Sequence, residues 1–147
     1  MPLPTPIPLV LLGLRAEIGH AVSKFLRPEY ETIYFISSPE VAKSELPKLL
    51  AGKEPARATN DVGTENFTQP PRVLMFGRGY TPEFVQELKR SLEGVAQEPV
   101  AWAVGDPAKA PTGPPGPDYV EQVAKDSKAA VATWAEEGGT KEAFVVY

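Results

Sequence analysis

Short apolar runs alternate along this chain with longer stretches in which apolar side chains recur every three or four residues. The runs are Leu9 to Gly13, Thr32 to Ser37, Arg72 to Gly77, Val100 to Gly105 and Ala143 to Tyr147. They are rich in Val, Ile, Leu, Phe and Tyr and predict strands. Runs as continuous as Val73-Leu74-Met75-Phe76 suit strands covered on both faces, as in parallel sheets. The spaced pattern predicts a helix over Ala16 to Leu26, with Ile18, Ala21, Val22, Phe25 and Leu26 on its apolar face and Pro28 as its stop. A second covers Pro39 to Leu50, where Pro47 is expected to break or kink it. A third begins after Thr81 as N-cap, with Pro82 in its first turn and Phe84, Val85, Leu88 and Leu92 facing inward before Gly94. The fourth runs from about Asp118 to Glu137, with Val120, Val123, Ser127, Val131 and Trp134 along one side.

Strict alternation of strand and helix implies βαβ units with right-handed crossovers, hence an α/β, doubly wound, three-layer domain of Rossmann-like or flavodoxin-like type. Five parallel strands in the order 2-1-3-4-5 need no additional element, which favours that order over a truncated 3-2-1-4-5 sheet. The order reverses between the first and third strands, and ligands of such sheets bind at the strands' carboxyl ends there. The loops meeting at that point are Gly13 to Gly19 and Gly77 to Thr81.

Both loops carry glycines between a strand and a helix start, where backbone N–H groups and the helix dipole suit an anion. The second also offers Arg78, whose guanidinium can grip phosphate or carboxylate in a forked geometry. The expected ligand is therefore a small anion-bearing molecule, a nucleotide phosphate above all. The alternative is that Gly77 and Gly79 merely allow a tight turn and Arg78 is solvated. Three groups near the crevice are candidates for chemistry. His20 follows Gly19 in the first turn of the first helix and either shuttles a proton or simply covers the helix start. Asp106, before Pro107, is a carboxylate for ligand or base duty, or a turn-forming residue. Tyr80 either closes over a ring or packs with a wet hydroxyl.

Composition narrows these readings. The 147 residues suffice for one domain with its own core, and the absence of cysteine excludes a thiol nucleophile and thiolate metal ligands. One histidine rules out multi-histidine metal sites, so no metal is expected. A net charge of −4, with acids and bases interspersed, argues against a nucleic-acid surface. The apolar stretch Ile7 to Leu14 lacks a basic leader and is cut by Arg15 and Glu17, so it reads as a strand; no membrane association and a cytoplasmic setting are expected.

The segment Leu11-Leu12-Gly13-Leu14-Arg15-Ala16-Glu17-Ile18-Gly19 resembles the glycine-rich opening of the short-chain dehydrogenase and NmrA-like NAD(P)-binding proteins, over the first βαβ unit. The resemblance implies that Gly13, Ala16 and Gly19 lie near the pyrophosphate of an NAD(P)-like cofactor, with Arg15 among the cofactor-binding residues of the same loop, and that Ser37 or Ser38 stands at the ribose. Ala16 replaces the central glycine, and neither serine is the acid or arginine that selects between the two cofactors. The family's tyrosine four residues before a lysine is absent, since Tyr30, Tyr34, Tyr80 and Tyr119 are followed there by Tyr34, Ser38, Phe84 and Val123. No nucleophile elbow or P-loop occurs.

Two segments depart from the compact pattern. Gly52 to Pro71 is long for a connection and reads as a lid or a mobile loop, and its Asn66-Phe67-Thr68 is a chance glycosylation match. Pro107 to Pro117, rich in proline, is expected to arch as a semi-rigid loop beside the same rim. Three functions follow. The first is a nucleotide- or dinucleotide-binding sensor or partner protein; the second is a small enzyme using Arg78 with Asp106 or His20. The third is an interaction module, a homodimer through an edge strand or the alanine-rich fourth helix.

Overall fold

A computed structural model describes residues 3–55, 62–110, 113 and 116–147. The chain runs β1 (Ile7–Leu12), α1 (Ala16–Leu26), β2 (Tyr30–Ile36), α2 (Pro39–Leu50), β3 (Val73–Phe76), α3 (Pro82–Ser91), β4 (Ala101–Val104), a short 3-10 turn (Pro107–Lys109), α4 (Pro117–Glu136) and β5 (Ala143–Val146). All neighbouring strands are parallel, in the order β2-β1-β3-β4-β5, as the alternating pattern requires. No helix among the described residues is long and apolar enough to cross a membrane.

Two apolar layers sandwich the sheet. Val10, Leu12, Leu74, Phe76, Trp102 and Val104 pack with α2 and α3, while Leu9, Leu11, Val73, Met75, Ala101 and Ala103 pack with α1 and α4. Strict alternation along β1, β3 and β4 produces this split, because successive side chains of a strand point to opposite faces. On β4 the small Ala101 and Ala103 lie under α4, and Trp102 stacks on Phe76 across the other face at 6.1 Å.

In β2 the alternation is broken. Leu9 pairs with Thr32 but Val10 pairs with Tyr34, leaving Ile33 as an extra residue in the strand. Such a bulge inverts every later side chain. Here it turns Tyr34 to the α2–α3 layer and Phe35 to the α1–α4 layer, beside Leu11.

Several local expectations change. Helix α2 continues through Pro47 to Leu50, held by the buried Leu46, Leu49 and Leu50, so Pro47 does not break it. The buried face of α1 is Gly19, Val22, Ser23 and Leu26, with Phe25 43 % exposed, because α1 rolls to bring Gly19 rather than Phe25 onto the sheet. Of the long segment Gly52 to Pro71, residues 56–61 lie outside the described residues. Farther on, Thr64 and Glu65 donate backbone hydrogen bonds to Thr32 and Ile33, and Thr64 and Asn66 bind the Glu31 carboxylate. That part straps the outer edge of β2 and is not a lid. Of the Pro107 to Pro117 segment, which begins with the 3-10 turn, residues 111–112 and 114–115 lie outside the described residues.

Candidate functional site

The two glycine turns meet at the carboxyl ends of β1 and β3. Gly13 N donates to Ile36 O, and Gly77 N donates to Leu12 O at 2.8 Å, so each glycine extends the sheet ladder before the chain leaves it. Between the turns, α1 and α4 lies a cavity of about 260 Å³. Its walls are chiefly carbon: Leu11, Ile18, Val22, Phe35, Met75 and Val123. Gly13, Leu14, Arg15, Gly19, Gly77, Arg78 and Gly79 complete the rim on the β1 and β3 side, with Tyr119 and Tyr147 opposite.

Phe35, brought to this face by the bulge, forms the floor. A methyl group added at Gly19 would lie 2.7 Å from its ring, and one at Gly13 would lie 3.3 Å away. These glycines therefore admit an aromatic ring, a role distinct from close approach to a ligand's phosphate. Gly79 is covered by the Leu14 side chain, which would lie 2.6 Å from an added methyl group.

Arg78 is not solvated. Its side chain is only 4 % exposed and its Nη2 donates to the Asp126 carboxylate at 3.1 Å. The guanidinium lies against the rings of Tyr119 and Tyr147, at 5.7 and 5.3 Å from their centres. Gly105 makes room for it, because a side chain there would strike Arg78 Cγ. Gln122 and Arg78 hydrogen bonds, with longer-range attraction from Lys109, hold the Asp126 carboxyl below its ordinary range. Burial of an ion pair is costly unless its hydrogen bonds are completed. Yet Arg78 Nε is buried with no acceptor among the described residues.

Of the other sequence candidates, Arg15 stands on the rim of this cavity, whereas Ala16, His20, Ser37, Tyr80 and Asp106 do not line it. Arg15 is exposed and its guanidinium is paired with Glu17 at 2.7 Å. Glu17, its carboxyl pulled down by its own backbone N–H and by Arg15, places a negative charge over the first turn of α1. Ala16 opens that helix and Ser37 is exposed beyond β2. Tyr80 is buried among Phe76 and Phe84 in the α2–α3 layer, donates to Gly13 O at 3.3 Å, and has its pKa raised to about 12 by burial. It does not close over the crevice, since its residue turns to the opposite side of the sheet. Asp106 accepts from Ala108 N at 3.0 Å and caps the 3-10 turn, the turn-forming role. His20 is exposed on α1 and does not line the cavity. No cluster of three or more metal-ligating side chains occurs among the described residues.

The inner wall of the cavity is apolar, and both cations on its rim are already matched to carboxylates. Sequence reasoning missed Phe35, Tyr119, Asp126 and Tyr147. The spacing of Tyr119, Val123 and Asp126 could have shown two lining positions, Tyr119 and Val123, sharing one face of α4 with the carboxylate that pairs with Arg78. The chain is 36% identical over 137 residues to Kojic acid related protein 6 of Aspergillus oryzae, a match covering 92% of this chain and 82% of that protein. No protein-family model matches the chain, and no solved structure matches it.

Proposed function

The chain belongs to the family of Kojic acid related protein 6, and from that premise we propose that it is a cytosolic small-molecule-binding domain acting as a sensor or partner protein. The observation that carries this reading is the apolar crevice at the reversal of strand order, framed by both glycine turns. A ring of nucleobase size fits its volume, and any phosphate of a nucleotide or NAD(P)-like ligand would extend past Gly13 and Arg15 toward solvent. The positions of His20, Tyr80 and Asp106, all away from the lining, favour binding without turnover.

Calorimetric titration with NAD(H), NADP(H), ATP, FMN and kojic acid tests the reading, and Ile18→Trp, which fills the mouth of the crevice, serves as control. Saturable binding that Ile18→Trp abolishes is the expected outcome. Binding that survives the substitution would place the ligand elsewhere. A second reading has its own observation: β2 is strapped by Thr64 and Glu65, but β5 ends the sheet with Val146 50 % exposed. An open edge strand favours pairing with a second copy, and sedimentation of the protein against Val146→Lys separates dimer from monomer.

A further inference from the structure

A binding crevice with a buried arginine would ordinarily be read as an anion site, but the charge count around this one points the other way. Arg78 is paired with Asp126, and Arg15 with Glu17, so each rim cation is matched by a carboxylate. An incoming carboxylate or phosphate would find Arg78 already neutralised by Asp126, and the carbon walls of Leu11, Val22, Met75 and Val123 would offer its charge no solvation. Arg78 Nε–H offers no donor to a ligand either, because the atom is fully buried and so closed off from the cavity space.

We infer that the crevice selects electrically neutral, flat, largely apolar molecules, and that the Arg78–Asp126 pair, by cancelling the cation in its wall, leaves their anionic counterparts unmatched. This rests on the ligand-binding reading above. Phe35 forms the floor for the ring. The rings of Tyr119 and Tyr147, 5.7 and 5.3 Å from the guanidinium, add cation–π contacts to its ion pair with Asp126. Asp126 is a selectivity residue in this scheme: it neutralises Arg78 without filling the cavity.

One matched probe pair tests the inference on the intact chain: 2-naphthol against 2-naphthoate, titrated calorimetrically at neutral pH. The neutral member of the pair is expected to bind at least about tenfold more tightly, a gap set by placing an unmatched charge in a poorly hydrated site. Asp126→Asn is expected to close or reverse that gap, because Arg78 is then a cation without a counter-charge. Its fold is checked by thermal melting, and if it fails to fold the wild-type comparison decides alone. Equal or tighter binding of the anions by the wild type overturns the inference while leaving the crevice as the site. A folded Asp126→Asn that keeps the full preference also overturns it. No binding of any probe, or binding untouched by Ile18→Trp, removes the ligand-binding reading itself.

Discussion

At Gly19 two effects on stability oppose each other. Replacing a helical glycine by alanine gains up to about 1 kcal/mol of helix propensity. The added methyl group would lie 2.7 Å from the buried Phe35 ring, and overpacking of this kind costs about 1–3 kcal/mol. Gly19→Ala should therefore destabilise, by roughly 1 kcal/mol net, as measured by urea unfolding. Adding Phe35→Leu to Gly19→Ala should recover part of the loss, since the clash goes and the propensity stays. A stabilised Gly19→Ala would mean that Phe35 is not what requires glycine there. The same contact explains why this glycine, legible in the sequence as part of a nucleotide-binding pattern, has a packing role that only its neighbour reveals.

Among the elements, α2 carries a local conflict. Pro47 sits well inside Pro39–Leu50 and cannot donate to the carbonyl one turn earlier, a defect of up to about 3 kcal/mol in a helix interior. Proline also restricts the unfolded chain, which offsets about 1 kcal/mol of that. Pro47→Ala is accordingly expected to raise stability by about 1–2 kcal/mol, the difference between the two, seen as a higher urea midpoint with unchanged slope. A lower midpoint would show that the proline ring contributes packing beyond its backbone cost. The helix survives its proline because Leu46, Leu49 and Leu50 are buried, and Ser38 caps its start by accepting from Val41 N at 3.2 Å. In α1 the limit of the sequence is different. Five apolar positions suggested one face, but packing against the sheet selected a neighbouring face that includes Ser23.

For the whole molecule, the buried tyrosines set a pH limit. Burial raises Tyr30 and Tyr80 from the ordinary value near 10 to about 12, and raises Tyr147 as well. Between those values the unfolded chain has lost protons that the folded chain keeps, so stability falls as pH rises. Their contribution is fully present below about pH 10 and disappears progressively as pH climbs through 12. Thermal melting across pH 8 to 12 should show that decline. Tyr80→Phe should flatten it, because one linked proton is removed. An identical alkaline slope in wild type and variant would contradict the assignment of Tyr80 to the core.

The alternation of strands and helices, the parallel order and the meeting of the two glycine turns were determined by the sequence alone. Short-range periodicity, capping residues such as Thr81 and Pro82, and the handedness of crossovers suffice for those features. The character of the crevice was decided only by tertiary structure. Which face Phe35 takes depends on Ile33 being left over in the pairing of β1 with β2, and pairing register is a relation between strands. Whether Arg78 is a vacant cation depends on Asp126, 48 residues away on α4. Neither partner is marked by local pattern, because contacts distant along the chain are set by how packed layers meet.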